Sequence, residues 1–343
     1  MRRWLISSAV LLVLPIALVL GVYRSLSAPL NVPVEGQVII VAPGTSMIRL
    51  AATLGADNIV AAPTAWEWYA RISGKAAEIQ AGEYSLTEGM SALELLENLC
   101  DGRVKLHSLT VLEGWTTAEL LLALRGNEYI RQTLPAAVSA WELVNDLGER
   151  LGLPYAHGEG LFYPDTYMFS RGTSDVALLQ QAADRQFAEL ADAWQQRAPD
   201  ALIATPYDFL ILASIIERET ALDSERPLIA GVFLRRLERR MRLQTDPTVI
   251  YGLGEAFNGN LTRQDLQADM PYNTYTRSGL PPTPIALPAR ASLQAVALPT
   301  KSNTLYFVAV GDDSGRHVFS ETLEAHNKAV AAYLKRLRLR SEQ

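Results

Sequence analysis

The chain is poor in the residues that build several common kinds of site. It has one cysteine, Cys100, among 343 residues, which excludes an internal disulfide and a multi-cysteine metal site. The spacing of its four histidines matches no metal-binding pattern; they are His107, His157, His317 and His326. The chain also lacks a G-x-S-x-G turn, an H-E-x-x-H helix, a phosphate-binding loop and a Rossmann glycine pattern. We therefore expect neither a metal ion nor a cofactor.

An excess of positive charge is missing as well. The chain has 31 Lys and Arg residues against 37 Asp and Glu residues, which gives a net charge of -6. Proteins that bind nucleic acid through its phosphates need a basic surface. We therefore expect no nucleic-acid partner.

A long uncharged run stands at the N-terminus. The residues from Trp4 to Tyr23 carry no charge, and a helix of this length, at about 1.5 Å per residue, crosses a hydrocarbon layer of about 30 Å. Arg2 and Arg3 precede the run, and aromatic rings stand at both of its ends. The pattern predicts a transmembrane helix over 4–23, with residues 1–3 in the cytoplasm and the rest outside. A cleaved signal peptide is the alternative, although its apolar core is usually only about 7 to 15 residues long.

The sequence pattern of the remaining chain predicts two folded units of α+β type. Residues 24–36 contain Ser, Pro and Gly without periodicity, which is typical of a linker. Residues 37–106 begin with an apolar strand at 37–41 and continue with short amphipathic helices and a second strand. Residues 107–343 contain longer helical patterns and an alternating apolar strand near Leu305, so we expect a larger second domain.

One helix of this second domain ends at a glutamate. Thr205 and Pro206 suit the cap and the first position of a helix, and the following run to Ile216 is apolar on nearly every face, which predicts burial all round. Glu217 comes at the end of this helix, where a buried carboxyl is suited to donating a proton near neutral pH. Glu219 lies about 200° further around the helix, so only one of the two can face a given cleft. Alternatively, Glu217 is structural and pairs with a neighbour such as Arg218.

Two polar segments further along the chain are candidates for ligand binding. Their amide, hydroxyl and aromatic groups suit an uncharged ligand rich in hydroxyls. The candidate residues are Gln244, Thr245 and Asp246, at a turn predicted from Asp-Pro, and Asn273, Thr274 and Tyr275, in a loop rich in proline. Turn chemistry alone would also explain Asp246.

Four motifs, in this order along the chain, resemble those of one family. They are Glu159–Tyr167, Leu212–Thr220, Leu243–Gly252, and Asn273–Tyr275 with Gly279–Ile285. With them the chain resembles the MltG (YceG-like) endolytic murein transglycosylases over nearly its whole length. The resemblance implies a membrane span, a LysM-like glycan-binding unit at 37–106 and a YceG-like catalytic domain at 107–343. Within that domain, Glu217 matches the catalytic glutamate.

The resemblance also implies a reaction, a location and partners. The family cleaves the β-1,4 bond between N-acetylmuramic acid and N-acetylglucosamine in peptidoglycan glycan strands and leaves 1,6-anhydromuramyl ends, in cell wall assembly and strand termination. One carboxyl protonates the leaving oxygen and then deprotonates the muramyl 6-hydroxyl. The expected location is the bacterial inner membrane, with the catalytic domain in the periplasm, and peptidoglycan synthases are expected partners.

Two other functions remain open at this point. The first is a muramidase, a hydrolase that uses a second carboxylate such as Asp246 together with Glu217. The second is a peptidoglycan-binding scaffold without catalysis, in which Glu217 is structural. The products distinguish the three functions, because a transglycosylase leaves anhydro ends, a hydrolase leaves reducing ends and a scaffold leaves neither.

Overall fold

Helices and short two-stranded sheets divide the chain into two units. A computed structural model describes residues 19–136, 139–198 and 202–341. Of these described residues, the first unit comprises 19–108 together with Met168–Thr173, and the second comprises those of Leu109–Tyr167 and those from Ser174 onward. The mixed α+β class agrees with the expectation from the sequence. The first unit is discontinuous, whereas the domains expected from the sequence were continuous segments.

The first unit is built on a two-stranded sheet covered by helices. Its elements are β1 (Gln37–Val41), α1 (Met47–Ala56), α2 (Pro63–Ile72), β2 (Gly82–Leu86) and α3 (Ala92–Asp101), with a short 3-10 helix at Lys75–Ala77. β1 pairs antiparallel with β2, with Ile39 opposite Tyr84. The core centres on Trp66, which is fully buried and whose Nε1 donates to the carbonyl oxygen of Ala92 at 2.8 Å.

The segment expected to be a linker, 24–36, packs into this first unit. Leu26 and Leu30 are buried in its core, and the N–H of Leu30 donates to the carbonyl oxygen of Met90 at 2.7 Å. The sequence pattern did not indicate this packing, because two leucines among prolines and serines show no periodicity.

The expected single-pass location in the inner membrane is overturned. None of the helices in the part of the chain that the structure describes is long and apolar enough to cross a membrane. Of the span expected at 4–23, residues 4–18 lie outside the described residues, and residues 19–26 are helical.

The second unit is mainly helical. Two further strands pair with each other, β3 (Leu106–Thr110) and β4 (Thr166–Ser170). Its helices are α4 (Thr117–Arg125), α5 (Ala140–Arg150), α6 (Asp175–Gln196), α7 (Pro206–Glu219), α8 (Arg226–Glu238), α9 (Asp246–Leu253), α10 (Arg263–Gln267), α11 (Arg290–Ala297) and α12 (Leu323–Ser341). β5 (Tyr306–Ala309) pairs antiparallel with β6 (His317–Ser320).

Helix α7 forms the core of the second unit and ends at the candidate glutamate. The side chain of Thr205 caps it by accepting the N–H of Asp208 at 3.0 Å, and Pro206 occupies its first turn. Every residue from Phe209 to Glu217 is buried, as its apolar sequence predicts. Helices α6, α8, α9 and α11 all pack against α7, so this helix is enclosed on several sides.

Candidate functional site

The carboxyl group of Glu217 lies in the last turn of α7, and both of its oxygens accept a hydrogen bond. Nη2 of Arg226 donates to Oε1 at 3.0 Å, and the main-chain N–H of Ala289 donates to Oε2 at 2.9 Å. The side chains of Glu217 and Arg226 are only 3 and 6 % exposed, respectively. Glu217 is therefore held in one orientation by a buried cation and by the amide that precedes α11.

Arg226, the first residue of α8, contacts more than one acid. Its Nη2 lies 3.8 Å from Oε2 of Glu113, and its Nη1 contacts Oδ1 of Asp223. Three carboxyl groups among the described residues thus share this one guanidinium. Because Glu113 and Glu217 contact the same nitrogen, their facing oxygens lie closer together than the upper separation of about 9.5 Å between the carboxyls of glycosidases.

A clamped turn places Glu113 beside Glu217. Gly114 has a φ of +76°, a conformation that favours glycine, and a Cβ added there would lie 3.9 Å from Cγ of Glu217. Nη1 of Arg218 donates to the carbonyl oxygen of Gly114, and the N–H of Gly114 donates to the carbonyl oxygen of Leu287, both at 3.0 Å. In return, the N–H of Leu287 donates to the carbonyl oxygen of Trp115 at 2.7 Å. The turn is therefore fixed to α7 and to the segment before α11.

That segment, 285–289, also joins the sequence motifs of the second unit. The N–H of Ile285 donates to the hydroxyl of Ser214 at 3.0 Å, one helical turn before Glu217. A Cβ added at Gly160 would lie only 2.5 Å from Cβ of Pro284, so this close approach requires glycine. Three of the four sequence motifs therefore meet around the C-terminal half of α7.

Glu219 has different partners from Glu217. Its Oε2 accepts the hydroxyl of Thr245 at 2.5 Å. Burial raises the pKa of Glu219, although the hydrogen bond from Thr245 and the charge of His317 act in the opposite direction. The separation of the two glutamates agrees with their positions around the helix.

The six residues expected to bind substrate lie in one hydrogen-bonded network beside Glu219. The N–H of Thr245 donates to the hydroxyl of Thr274 at 3.1 Å, and the N–H of Gln244 donates to the carbonyl oxygen of Thr274 at 3.1 Å. The hydroxyl of Tyr275 donates to Oδ1 of Asp246 at 2.6 Å. None of the hydrogen bonds found among the described residues links this network directly to the carboxyl of Glu217.

Only part of this network is open to a ligand. Asn273 is fully buried, and its Nδ2 donates to the carbonyl oxygens of Asp265, Leu266 and Ala268 at 2.7 to 3.2 Å. Thr245 and Thr274 are also buried, whereas Gln244 and Asp246 are exposed and Tyr275 is partly exposed. A role in binding stays a prediction for all six residues, and these last three are the ones that a ligand can reach.

Glu159 is a further buried acid, for which the sequence pattern indicated no separate role. Its Oε1 accepts the N–H groups of Thr117 and Gly160 at 2.9 and 3.2 Å, and its Oε2 accepts the hydroxyl of Tyr251 at 3.0 Å. Burial raises the pKa of Glu159 to about 7, against the effect of these hydrogen bonds. Glu159 links the start of α4 to α9 in the interior, so its role is structural.

Sequence reasoning missed three of the groups around Glu217. Arg226 follows a helix break nine positions further along, and its pairing with Glu217 leaves no periodic signal. Ala289 takes part through its main chain, so its residue type carries no information. Glu113 stands before a glycine, and that glycine is the one local signal of the turn that places it. In the part of the chain that the structure describes, no group of three or more His, Cys, Asp or Glu could hold a metal ion.

A comparison with known families places the chain in one of them. Residues 39–332, most of the chain, match the model of the YceG-like family. The chain belongs to the YceG-like family.

Named relatives of the YceG-like family agree with this result. An endolytic murein transglycosylase of Bacillus subtilis strain 168 is 30% identical over 303 residues, which cover 85% of this chain and 83% of the relative. One of Streptococcus pneumoniae strain D39 is 28% identical over 323 residues, which cover 85% of this chain but only 57% of that relative. The chain thus spans little more than half of the streptococcal protein.

A solved structure has the same fold. The crystal structure of a YceG-like protein from Listeria monocytogenes matches with a TM-score of 0.55 at 28% identity, and the match covers 86% of this chain and 99% of that one.

Proposed function

We propose that this YceG-like protein is an endolytic murein transglycosylase, in which Glu217 carries the proton transfer that cleaves the glycan strand. The names of its relatives support the activity. The observation that carries the residue assignment is the fixation of both oxygens of Glu217, by Arg226 and by the N–H of Ala289. A carboxyl held in one orientation is what general acid–base catalysis requires.

The proposed reaction cleaves the bond between N-acetylmuramic acid and N-acetylglucosamine without water. A proton passes to the leaving oxygen, and the muramyl 6-hydroxyl closes the 1,6-anhydro ring while it loses its own proton. Hydrolysis by two carboxyls is the second candidate, and the observation that favours it is the position of Glu113 close to Glu217.

The test is the chemistry of the products. Purified protein is incubated with peptidoglycan sacculi, and the released fragments are identified by mass spectrometry. We expect anhydromuramyl ends from the wild type and a loss of about 10²- to 10⁴-fold in the Glu217→Gln variant. Glu219→Gln is the matched control and should keep most of the activity, because Glu219 contacts Thr245 instead. Reducing ends from the wild type would identify a hydrolase. If the wild type cleaved nothing, a peptidoglycan-binding scaffold would be the remaining function.

We also propose that the first unit is the LysM-like, glycan-binding part. Trp68 on α2 supports this proposal, because it is 54 % exposed and aromatic faces stack on sugar rings. Trp68→Ala should weaken binding to sacculi that have been inactivated for cleavage, and Ile72→Ala, at an exposed apolar residue on the same helix, is the control. Equal binding by both variants would remove Trp68 from the proposed surface. Peptidoglycan synthases stay predicted partners, and co-purification would test them.

A further inference from the structure

The three carboxyl groups around Arg226 are held unequally. Glu217 accepts hydrogen bonds at both oxygens, and Asp223 contacts Nη1 of the arginine directly. Glu113 lies 3.8 Å from Nη2, and its side chain has no hydrogen bond among those found in the described chain. Three negative charges beside one positive charge repel one another, so the group that is held least firmly takes up a proton most easily. By its contacts, that group is Glu113.

Glu113 also has the accessibility that Glu217 lacks. Its side chain is 58 % exposed, against 3 % for Glu217. Its backbone is nevertheless fixed, because the next residue, Gly114, is held by Arg218 on one side and by Leu287 on the other. Glu113 is therefore a carboxyl on a fixed turn, open to a substrate, next to the buried glutamate.

The electrostatic surroundings of Glu113 also favour its protonated form. Partial burial and the neighbouring charge of Glu217 raise the pKa of Glu113, Asp223 adds to this rise, and Arg226 opposes it. The other charged group at the turn, Arg218, donates to the carbonyl oxygen of Gly114.

We propose that Glu113 is a further catalytic residue, which donates the proton to the leaving oxygen while Glu217 acts as the base. The proposal rests on the proposed function and divides between two carboxyls the two proton transfers that the simplest mechanism gives to one. The bond between muramyl C1 and the glucosamine O4 breaks, and O4 receives the proton of Glu113. Muramyl O6 bonds to C1, and its proton passes to Glu217. Glu217 then releases that proton, and Glu113 takes one up from solvent, so no other reactant is consumed.

The test compares Glu113→Gln with Glu113→Asp in the full chain. The substrate is uncrosslinked glycan strands, and kcat and KM for anhydro product are measured over a range of pH. We expect Glu113→Gln to lower kcat by about 10²-fold or more and to change KM by no more than about twofold. The wild-type rate should fall at high pH, where Glu113 loses the proton that it donates, and Glu113→Gln should abolish that fall. Glu113→Asp keeps a carboxyl and should restore part of kcat. Glu128→Gln, at an exposed glutamate, is the matched control and should behave as the wild type.

Several results would overturn the proposal. An unchanged kcat and pH profile in Glu113→Gln would show that Glu113 moves no proton, and an effect on KM alone would make it a binding residue. If Glu113→Gln proved unfolded by urea titration, the comparison would pass to Glu113→Gly and Glu113→Asp. A wild-type pH profile with full kcat in Glu113→Gly would decide against the proposal. Loss of kcat in folded Glu113→Gly, with part of kcat kept in Glu113→Asp, would support it. If the wild type released no anhydro ends at all, the proposed function would fail, which is a different result from the failure of Glu113 alone.

Discussion

The carboxylate of Glu217 contributes to stability as well as to the proposed chemistry, because it forms a buried ion pair with Arg226. In Glu217→Gln, the arginine keeps only Asp223, which is 80 % exposed, and the more distant Glu113. Hydrogen bonds to charged groups contribute about 1.5 to 3 kcal/mol, so we expect a loss of that order in the free energy of unfolding, measured by urea titration. Glu113→Gln is the matched comparison. It should lose far less, because the side chain of Glu113 is exposed.

The contrary outcome is also informative. If Glu217→Gln were as stable as the wild type, the ion pair would contribute no net stability, as is found for buried pairs whose desolvation cost offsets their attraction. The contacts of Glu217 would then serve to orient the carboxyl only.

At the scale of the element, the packing of the second unit depends on a glycine that lets two motifs meet. Gly160 has a φ of +78°, and an added Cβ would lie 2.5 Å from Cβ of Pro284. Gly279 has a similar φ of +90°, but no atom lies within 4 Å of its added Cβ. Both alanine variants suffer backbone strain of about 1 kcal/mol, and only Gly160→Ala adds a steric clash, which costs about 1 to 3 kcal/mol more.

The measurement is thermal unfolding of the two variants side by side. Gly160→Ala should have the lower Tm and lower activity, because segment 285–289 carries the N–H that binds Glu217. Equal Tm values for the two alanine variants would mean that the proline loop moves aside at little cost.

Sequence patterns predicted the elements better than their contacts. β1 and α7 are found where periodicity and capping placed them, since those signals are local. The turn predicted at Asp246-Pro247 is instead the first turn of α9, because proline suits a helix start as well as a turn. Arg236 is buried and donates to the carbonyl oxygens of Leu305 and Leu243. These contacts join distant parts of the chain, so no local pattern reveals them.

At the scale of the whole molecule, two buried acids give the stability opposite dependences on pH. Glu159 has a pKa raised to about 7 by burial, so its protonated form is favoured in the folded state. Its contribution is fully present below its ordinary pKa of 4.5 and is lost as the pH rises through about 7. Burial would also raise the pKa of Glu83, but hydrogen bonds from His107 and Arg171 outweigh it and lower that pKa. The contribution of Glu83 is therefore present above its ordinary pKa and is lost in acid.

We therefore expect the greatest stability on the acidic side of neutrality. The urea midpoint should fall as the pH rises from about 4.5 to 7, because the free energy of unfolding decreases by up to about 1.4 kcal/mol for each pH unit in that range. Glu159→Gln should make that slope shallower by up to about 1.4 kcal/mol for each pH unit. It should leave the part that the raised pKa values of Glu219 and Glu113 cause and keep the decline at low pH that Glu83 causes. Identical slopes in the wild type and in Glu159→Gln would show that Glu159 titrates in the folded protein as it does in the unfolded chain.

The N–H of Ala289 has a consequence for how such a site evolves. Because the group that binds Oε2 of Glu217 belongs to the main chain, any side chain that fits the buried position of Ala289 leaves this donor in place, and variation there among relatives need not signal a change in chemistry. Proline is the exception, since it has no N–H. A comparison of sequences would therefore show this position only as one that keeps small side chains and excludes proline.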